Sequence, residues 1–170
     1  MQAHTRAVAG LAAGAVGTFV LDRLDWFMWN RLDETTRDQT RSVRPGGEPP
    51  AHVLASRLEQ ALSLDLSNKQ HEVAGLAVHF GIGIAPAAIY ALTRDKLPGR
   101  GPARGLLYGL AMFLAQDEGL NTVTGLGARP TRYPWQAHAR GLVAHLVYGV
   151  AVEMTLNAIE RRFRKRAGRH

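Results

Sequence analysis

Residues 73–92 run Val-Ala-Gly-Leu-Ala-Val-His-Phe-Gly-Ile-Gly-Ile-Ala-Pro-Ala-Ala-Ile-Tyr-Ala-Leu, and His79 is the only side chain in them that titrates near neutral pH. At about 1.5 Å per residue, a helix of this length covers roughly 30 Å, the hydrocarbon thickness of a bilayer. The stretch predicts a membrane-spanning helix. In lipid, every His, Asp or Glu must find a partner that offsets the loss of water, so the titratable groups of the other apolar segments become the informative residues.

Three further segments qualify as weaker spans. Residues 7–21 are uncharged; Asp22, Arg23 and Asp25 follow, then Trp26-Phe27-Met28-Trp29, an aromatic cluster suited to the membrane interface. A third apolar run begins at Gly105, is interrupted by Gln116-Asp117-Glu118 and resumes to Leu126. The fourth, from Gly141, contains His145 and Glu153. The expected architecture is all-α: an integral membrane four-helix bundle with spans at about 6–29, 72–93, 104–125 and 138–160. The extramembrane loop 30–71 would carry one short amphipathic surface helix, with Leu54, Leu58, Ala61 and Leu62 on its apolar face after Pro49-Pro50. Residues 33–50 read as a polar, turn-rich connection. Arg6 followed by fifteen small apolar residues resembles a signal peptide, but Phe19-Val20-Leu21-Asp22 is no Ala-x-Ala cleavage site, so the segment is expected to remain as the first span. Gly10 and Gly14 form a Gly-x-x-x-Gly pair, which either permits close helix approach or reflects chance in a Gly/Ala-rich stretch.

Charge sets the expected orientation. The chain of 170 residues has a net charge of +7, concentrated in the tail 161–170 and in the 94–104 connection, whereas residues 30–72 hold six Lys/Arg and seven Asp/Glu. The positive-inside rule places both termini in the cytoplasm of a bacterial inner-membrane, multi-pass protein, although Arg129, Arg132 and Arg140 near the third connection oppose it. A basic block directly after an apolar segment reads as an anchor on acidic lipid headgroups rather than a nucleic-acid contact. A mean hydropathy of −0.13 is low for a membrane protein and comes largely from the polar stretch between residues 30 and 72. The absence of cysteine excludes disulfides, thiolate catalysis and Cys-ligated metal. No nucleophile elbow, phosphate loop or nucleotide fingerprint is present.

With this orientation, Asp22, His79, Asp117 with Glu118, and His145 fall at a common height in the outer half, roughly 18–22 Å from the inner end of their helices. Glu153 lies about two turns deeper. Asp25, Gln116, His138 and Trp135 are candidates for a supporting shell. Such a layer of alternating carboxylate and imidazole helices suits three roles: a hydrogen-bonded cluster fixing helix register, proton or ion handling, or a metal or haem site with His79, His145, Asp117 and Glu118 as candidate ligands. No His-x-x-His or Glu-x-x-His spacing strengthens the metal option. Pro86 is expected to kink its helix, Tyr90 and Trp135 to anchor at the interface, and His52 and His71 to be solvated.

The spacing of His79 and Tyr90, Pro134-Trp135 ahead of His145, and Glu153 beyond it resembles the YagU-like bacterial inner-membrane proteins. Arg104-Gly105-Leu106-Leu107-Tyr108-Gly109 and Gly125-Leu126 before Pro130 are similar as well. The resemblance covers about residues 71–160 and implies a small multi-span protein associated with acid tolerance, with His79, Trp135, His145 and Glu153 as family positions of unassigned role. The family carries a His near the place of Asp117-Glu118, and the first loop has no counterpart in it. The expected function is therefore a proton- or ion-linked membrane role. The alternatives are a non-catalytic accessory or assembly subunit, as a homo-oligomer or within a larger membrane complex, and a metal- or haem-binding membrane protein.

Overall fold

The computed structural model describes residues 2–167, and among these the chain is helical throughout, without strands. Seven α-helices follow in order: α1 Ala3–Trp29, α2 Glu34–Val43, α3 Pro50–Ala61, α4 Asn68–Thr93, α5 Pro102–Met112, α6 Asn121–Val123 and α7 Trp135–Ala167. A π-helical stretch, Phe113–Leu120, joins α5 to α6, making one continuous helical segment. The helices starting at Ala3, Asn68 and Trp135 are long and apolar enough to cross a membrane, judged by length and composition.

Local chemistry sets the boundaries. Ser67 and Gln70 form a reciprocal capping box at the start of α4. Asp33 caps α2 by accepting from the Thr36 N–H at 2.9 Å. Pro50 and Pro102 open α3 and α5, where a missing N–H costs nothing. Inside α4, Pro86 leaves the Ile82 carbonyl without its helical donor, and the Gln116 amide supplies one at 3.3 Å.

Small residues form the seams between the long helices. A Cβ on Gly10 would lie 2.6 Å from Ala88 Cα, and one on Gly14 2.9 Å from Ile84 Cα, both in α4. The Gly10–Gly14 pair is thus a close-approach surface. Gly105 meets Gly149 and Val150 in the same way, where an added Cβ would lie 2.7 Å from the Gly149 carbonyl oxygen. The core between the seams holds Ala13, Ala87, Tyr90, Tyr108, Tyr148, Val152 and Leu156. Branched aliphatic side chains on the outward faces of the long segments stay exposed, among them Val8, Ile89, Leu107, Leu114, Val123 and Val143.

The start of α1, the end of α4, the start of α5 and the end of α7 share one end of the molecule, here the proximal end. Arg6 pairs with Asp95 at 2.6 Å and Arg94 with Glu160 at 2.8 Å. The distal end carries α2, α3 and the 124–134 connection, and Arg57 of α3 donates to the Thr124 and Gly125 carbonyls at 2.7 Å each.

Several sequence expectations need correction here. Residues 33–50 are not only turns: they include α2, which buries Thr36 and Thr40. In α3 the buried residues are Val53 and Ala55, while Leu58 and Leu62 face outward. His52 and His71 are not solvated. His52 packs on Gly75 and lies 3.3 Å from Glu72, and His71 bonds Glu59 at 3.0 Å, tying α3 to α4.

Candidate functional site

Between α1, α4, the π-helical stretch and α7 lies a cavity of about 240 Å³ toward the distal end. Its walls include Thr18 and Asp25 of α1, His79 and Gly83 of α4, Gln116, Asp117 and Glu118 of the π stretch, and His138, Arg140, His145 and Tyr148 of α7. The Arg44–Ala51 and Gly127–Tyr133 connections contribute Arg44, Pro49, Pro130 and Tyr133.

The π stretch explains how three consecutive polar residues all face partners. An α-helix separates neighbours by about 100° around its axis, and the wider π turn holds them closer. Gln116 reaches α4, while Asp117 and Glu118 both reach α7. Glu118 Oε1 lies 2.6 Å from His138 Nδ1, and His138 Nε2 lies 3.0 Å from the Pro130 carbonyl. A carbonyl can only accept, so Nε2 carries a proton. The short contact on the other nitrogen then needs a second proton, resident on His138 or on Glu118.

A second pair sits deeper. His145 Nδ1 donates to the Gly141 carbonyl at 2.9 Å, with Asp117 Oδ2 at 3.6 Å from the same nitrogen, leaving Nε2 as the basic atom. The third pair is looser: His79 Nε2 is 3.9 Å from Asp22 Oδ1, and Asp22 is also held by Arg23 at 2.5 Å. Asp25 and Arg140 form a further ion pair. Arg140, counted in the sequence as a loop charge, belongs to α7 and stacks over Trp29 at 5.0 Å.

Glu153 stands apart, at the proximal end. It is 1% exposed and accepts from Arg94 at 2.8 Å and from the Tyr90 hydroxyl at 2.7 Å, with Asn157 on its second oxygen. Tyr90 is therefore a buried donor and not an interfacial anchor. Trp135 is 72% exposed and supports none of the site residues, which removes it from the expected supporting shell. Arg94, read in the sequence as a loop cation, is 3% exposed and is the counter-ion of Glu153 and Glu160.

Three tyrosines connect the two polar regions. Tyr148, in the cavity wall, donates to the Gly83 carbonyl at 2.6 Å and accepts from the Tyr108 hydroxyl at 3.2 Å. Tyr108 stacks on Tyr90 with ring centroids 4.0 Å apart, and Tyr90 reaches Glu153. Sequence reasoning missed Thr18, Arg44, Tyr133, Tyr148 and Tyr108 as site residues. Only the Pro45-Gly46-Gly47 turn after Arg44 hinted at a fixed loop there.

Among the described residues, no three His, Asp or Glu side chains converge to hold a metal ion. The candidates His79, His145, Asp117 and Glu118 are instead distributed over separate imidazole–carboxylate pairs. Comparison of the chain with protein-family models, with curated proteins and with solved structures finds no match.

Proposed function

We propose that this is a four-span inner-membrane protein with both termini in the cytoplasm, whose distal cavity takes up and releases protons through its imidazole–carboxylate pairs. The observation that carries the reading is the His138–Glu118 contact. Both ring nitrogens face acceptors, so the pair stores a proton that the neighbouring His145–Asp117 pair can exchange with the cavity. The tyrosine column toward Glu153 and Arg94, joined hydroxyl to hydroxyl from Tyr148 to Tyr108 and ring on ring from Tyr108 to Tyr90, places polar groups in an otherwise apolar core. Support for a fourth span comes from the helical segment 102–123, which runs from the Arg104 contacts at the proximal end to the Arg57 contact at the distal end and exposes leucines along its length. Acid tolerance, implied by the resemblance to the YagU-like proteins, is the physiological setting of this reading.

The test is proton uptake into vesicles reconstituted with the full chain and loaded with a pH-sensitive dye. His145→Ala and His79→Ala are expected to lower uptake at least about tenfold, with helix content unchanged by circular dichroism. Tyr108→Phe, which removes one hydroxyl from the column, is expected to slow it. Wild-type uptake rates in the folded histidine variants would refute the proposal.

A further inference from the structure

Arg44 is the one cavity-lining cation without a carboxylate partner among the described residues. It enters the wall from the connection after α2, held by the Pro45-Gly46-Gly47 turn in which both glycines have positive φ. Its guanidinium lies 5.7 Å from the Trp29 ring, which it shares with Arg41 and Arg140. Burial, and then the neighbouring Arg140, pull Arg44 below the usual arginine range, yet a guanidinium keeps its charge near neutral pH. Asp25 and Asp117 act on it only from beyond ion-pair distance, so this guanidinium, withdrawn from water beside Arg140, still lacks an anion in contact.

Deeper in the same cavity, Thr18 is 1% exposed and its Oγ1 has no hydrogen-bond partner in the protein. His79 Nε2 is also buried without a hydrogen bond. The groups left open are thus the Arg44 guanidinium at the distal rim, Arg140 Nε, and two polar atoms toward the middle of the molecule, with Leu21, Ile82 and Phe113 supplying apolar wall. The volume of about 240 Å³ equals the liquid share of about eight waters and lies below the range of drug-sized sites.

We propose that the cavity binds a small organic carboxylate, its anionic group held by Arg44 and its apolar body lying against Leu21, Ile82 and Phe113. An apolar wall beside a single unpaired guanidinium favours an organic anion over inorganic phosphate. The pH dependence of binding rests on the proton-linked reading above; the site itself does not. Of the charged groups lining the cavity, Asp25 and Asp117 oppose Arg44 and Arg140, and the His138–Glu118 pair with its shared proton is neutral, so the lining carries no net charge while His79 and His145 are neutral. Asp22 beside His79 is balanced by Arg23, and Tyr133 is neutral. Protonating His79 and His145 turns the lining to two net positive charges, so the anion and protons bind together.

The experiment uses the full chain in detergent with Trp26→Phe and Trp135→Phe, so that Trp29 alone reports at the site. Benzoate, its neutral analogue benzyl alcohol and inorganic phosphate are titrated at pH 7.5 and 5.5. Benzoate is expected to saturate, at least tenfold more tightly at pH 5.5, with benzyl alcohol at least tenfold weaker than benzoate at that pH. Arg44→Gln should lose at least tenfold in benzoate affinity and Arg44→Lys should regain part of it. Equal binding of benzoate and benzyl alcohol, unchanged affinity in Arg44→Gln, or saturation by phosphate alone would each overturn the carboxylate site. Benzoate binding that depends on Arg44 but not on pH upholds the site and counts against the proton-linked reading. Proton uptake that needs His145 in a protein that never binds benzoate does the reverse.

Discussion

Glu153 and Arg94 show what a buried charge requires at the level of single residues. Each is almost fully enclosed, and each has three partners: Glu153 has Arg94, Tyr90 and Asn157, and Arg94 has Glu153, Glu160 and Asn157. Removing Glu153 leaves the buried Arg94 with Glu160 as its remaining carboxylate, and removing Arg94 leaves Glu153 buried without its contact cation; breaking a buried pair is the costly case, whereas replacing both partners by apolar groups is close to neutral. Glu153→Ala is therefore expected to destabilise by about 3–5 kcal/mol, read from denaturation in detergent, and Arg94→Met combined with Glu153→Leu should recover most of that loss. Asp33 gives a pH-dependent counterpart outside the long helices. The Thr36 hydroxyl and then the Thr36 backbone N–H hold its carboxyl below the usual carboxylate range. A folded-state pKa that is depressed adds stability above the ordinary carboxylate range and loses it as pH falls through the folded value. Amide-exchange protection of α2 should thus decline below about pH 4, and Asp33→Ala should remove that dependence, leaving protection low at every pH.

The π stretch Phe113–Leu120 has the largest consequence among the elements. It carries one more residue per turn than the α-helix, which lets Gln116 face α4 while Asp117 and Glu118 face α7. Deleting Ala115 would remove the extra residue that the wide turn accommodates and change which of Gln116, Asp117 and Glu118 face α4 and which face α7, carrying the carboxylates away from His145 and His138. The deletion is expected to abolish proton uptake while circular dichroism stays near wild type; retained uptake would mean that the π geometry does not position the carboxylates. The same stretch also repairs α4, because Gln116 occupies the Ile82 carbonyl that Pro86 leaves free. Close contact between α5 and α7 in turn requires Gly105, Gly109 and Gly149, whose missing Cβ atoms leave room for the facing backbone.

For the whole molecule, net positive charge gathers at the proximal end, where Asp95, Glu153 and Glu160 are the acids, and the distal end is covered by α2, α3 and the 124–134 connection. The proposed orientation can be mapped because the chain has no cysteine of its own. A single cysteine at Ser42 should react with a membrane-impermeant maleimide in intact spheroplasts, and one at Arg100 only after permeabilisation. The opposite labelling pattern would invert the topology, and with it the side from which the cavity is reached.

Periodicity and composition alone determined the helical class and the long apolar segments, because these follow from interactions within one or two turns; the caps at Asp33 and Ser67, and with them α2, emerged only from the structure. The histidines and acids that line the cavity were also legible, since a titratable group inside an apolar run stands out by itself. Their pairing was not. Whether Glu118 meets His138, whether Tyr90 points at lipid or at Glu153, and whether Arg44 faces solvent or a cavity depend on helix rotation. Glycine seams and one π turn set that rotation across distances of 20 to 115 positions in sequence. Only the tertiary structure decided these partners, because a side chain's environment is fixed by the helix across from it, and no local pattern encodes that neighbour.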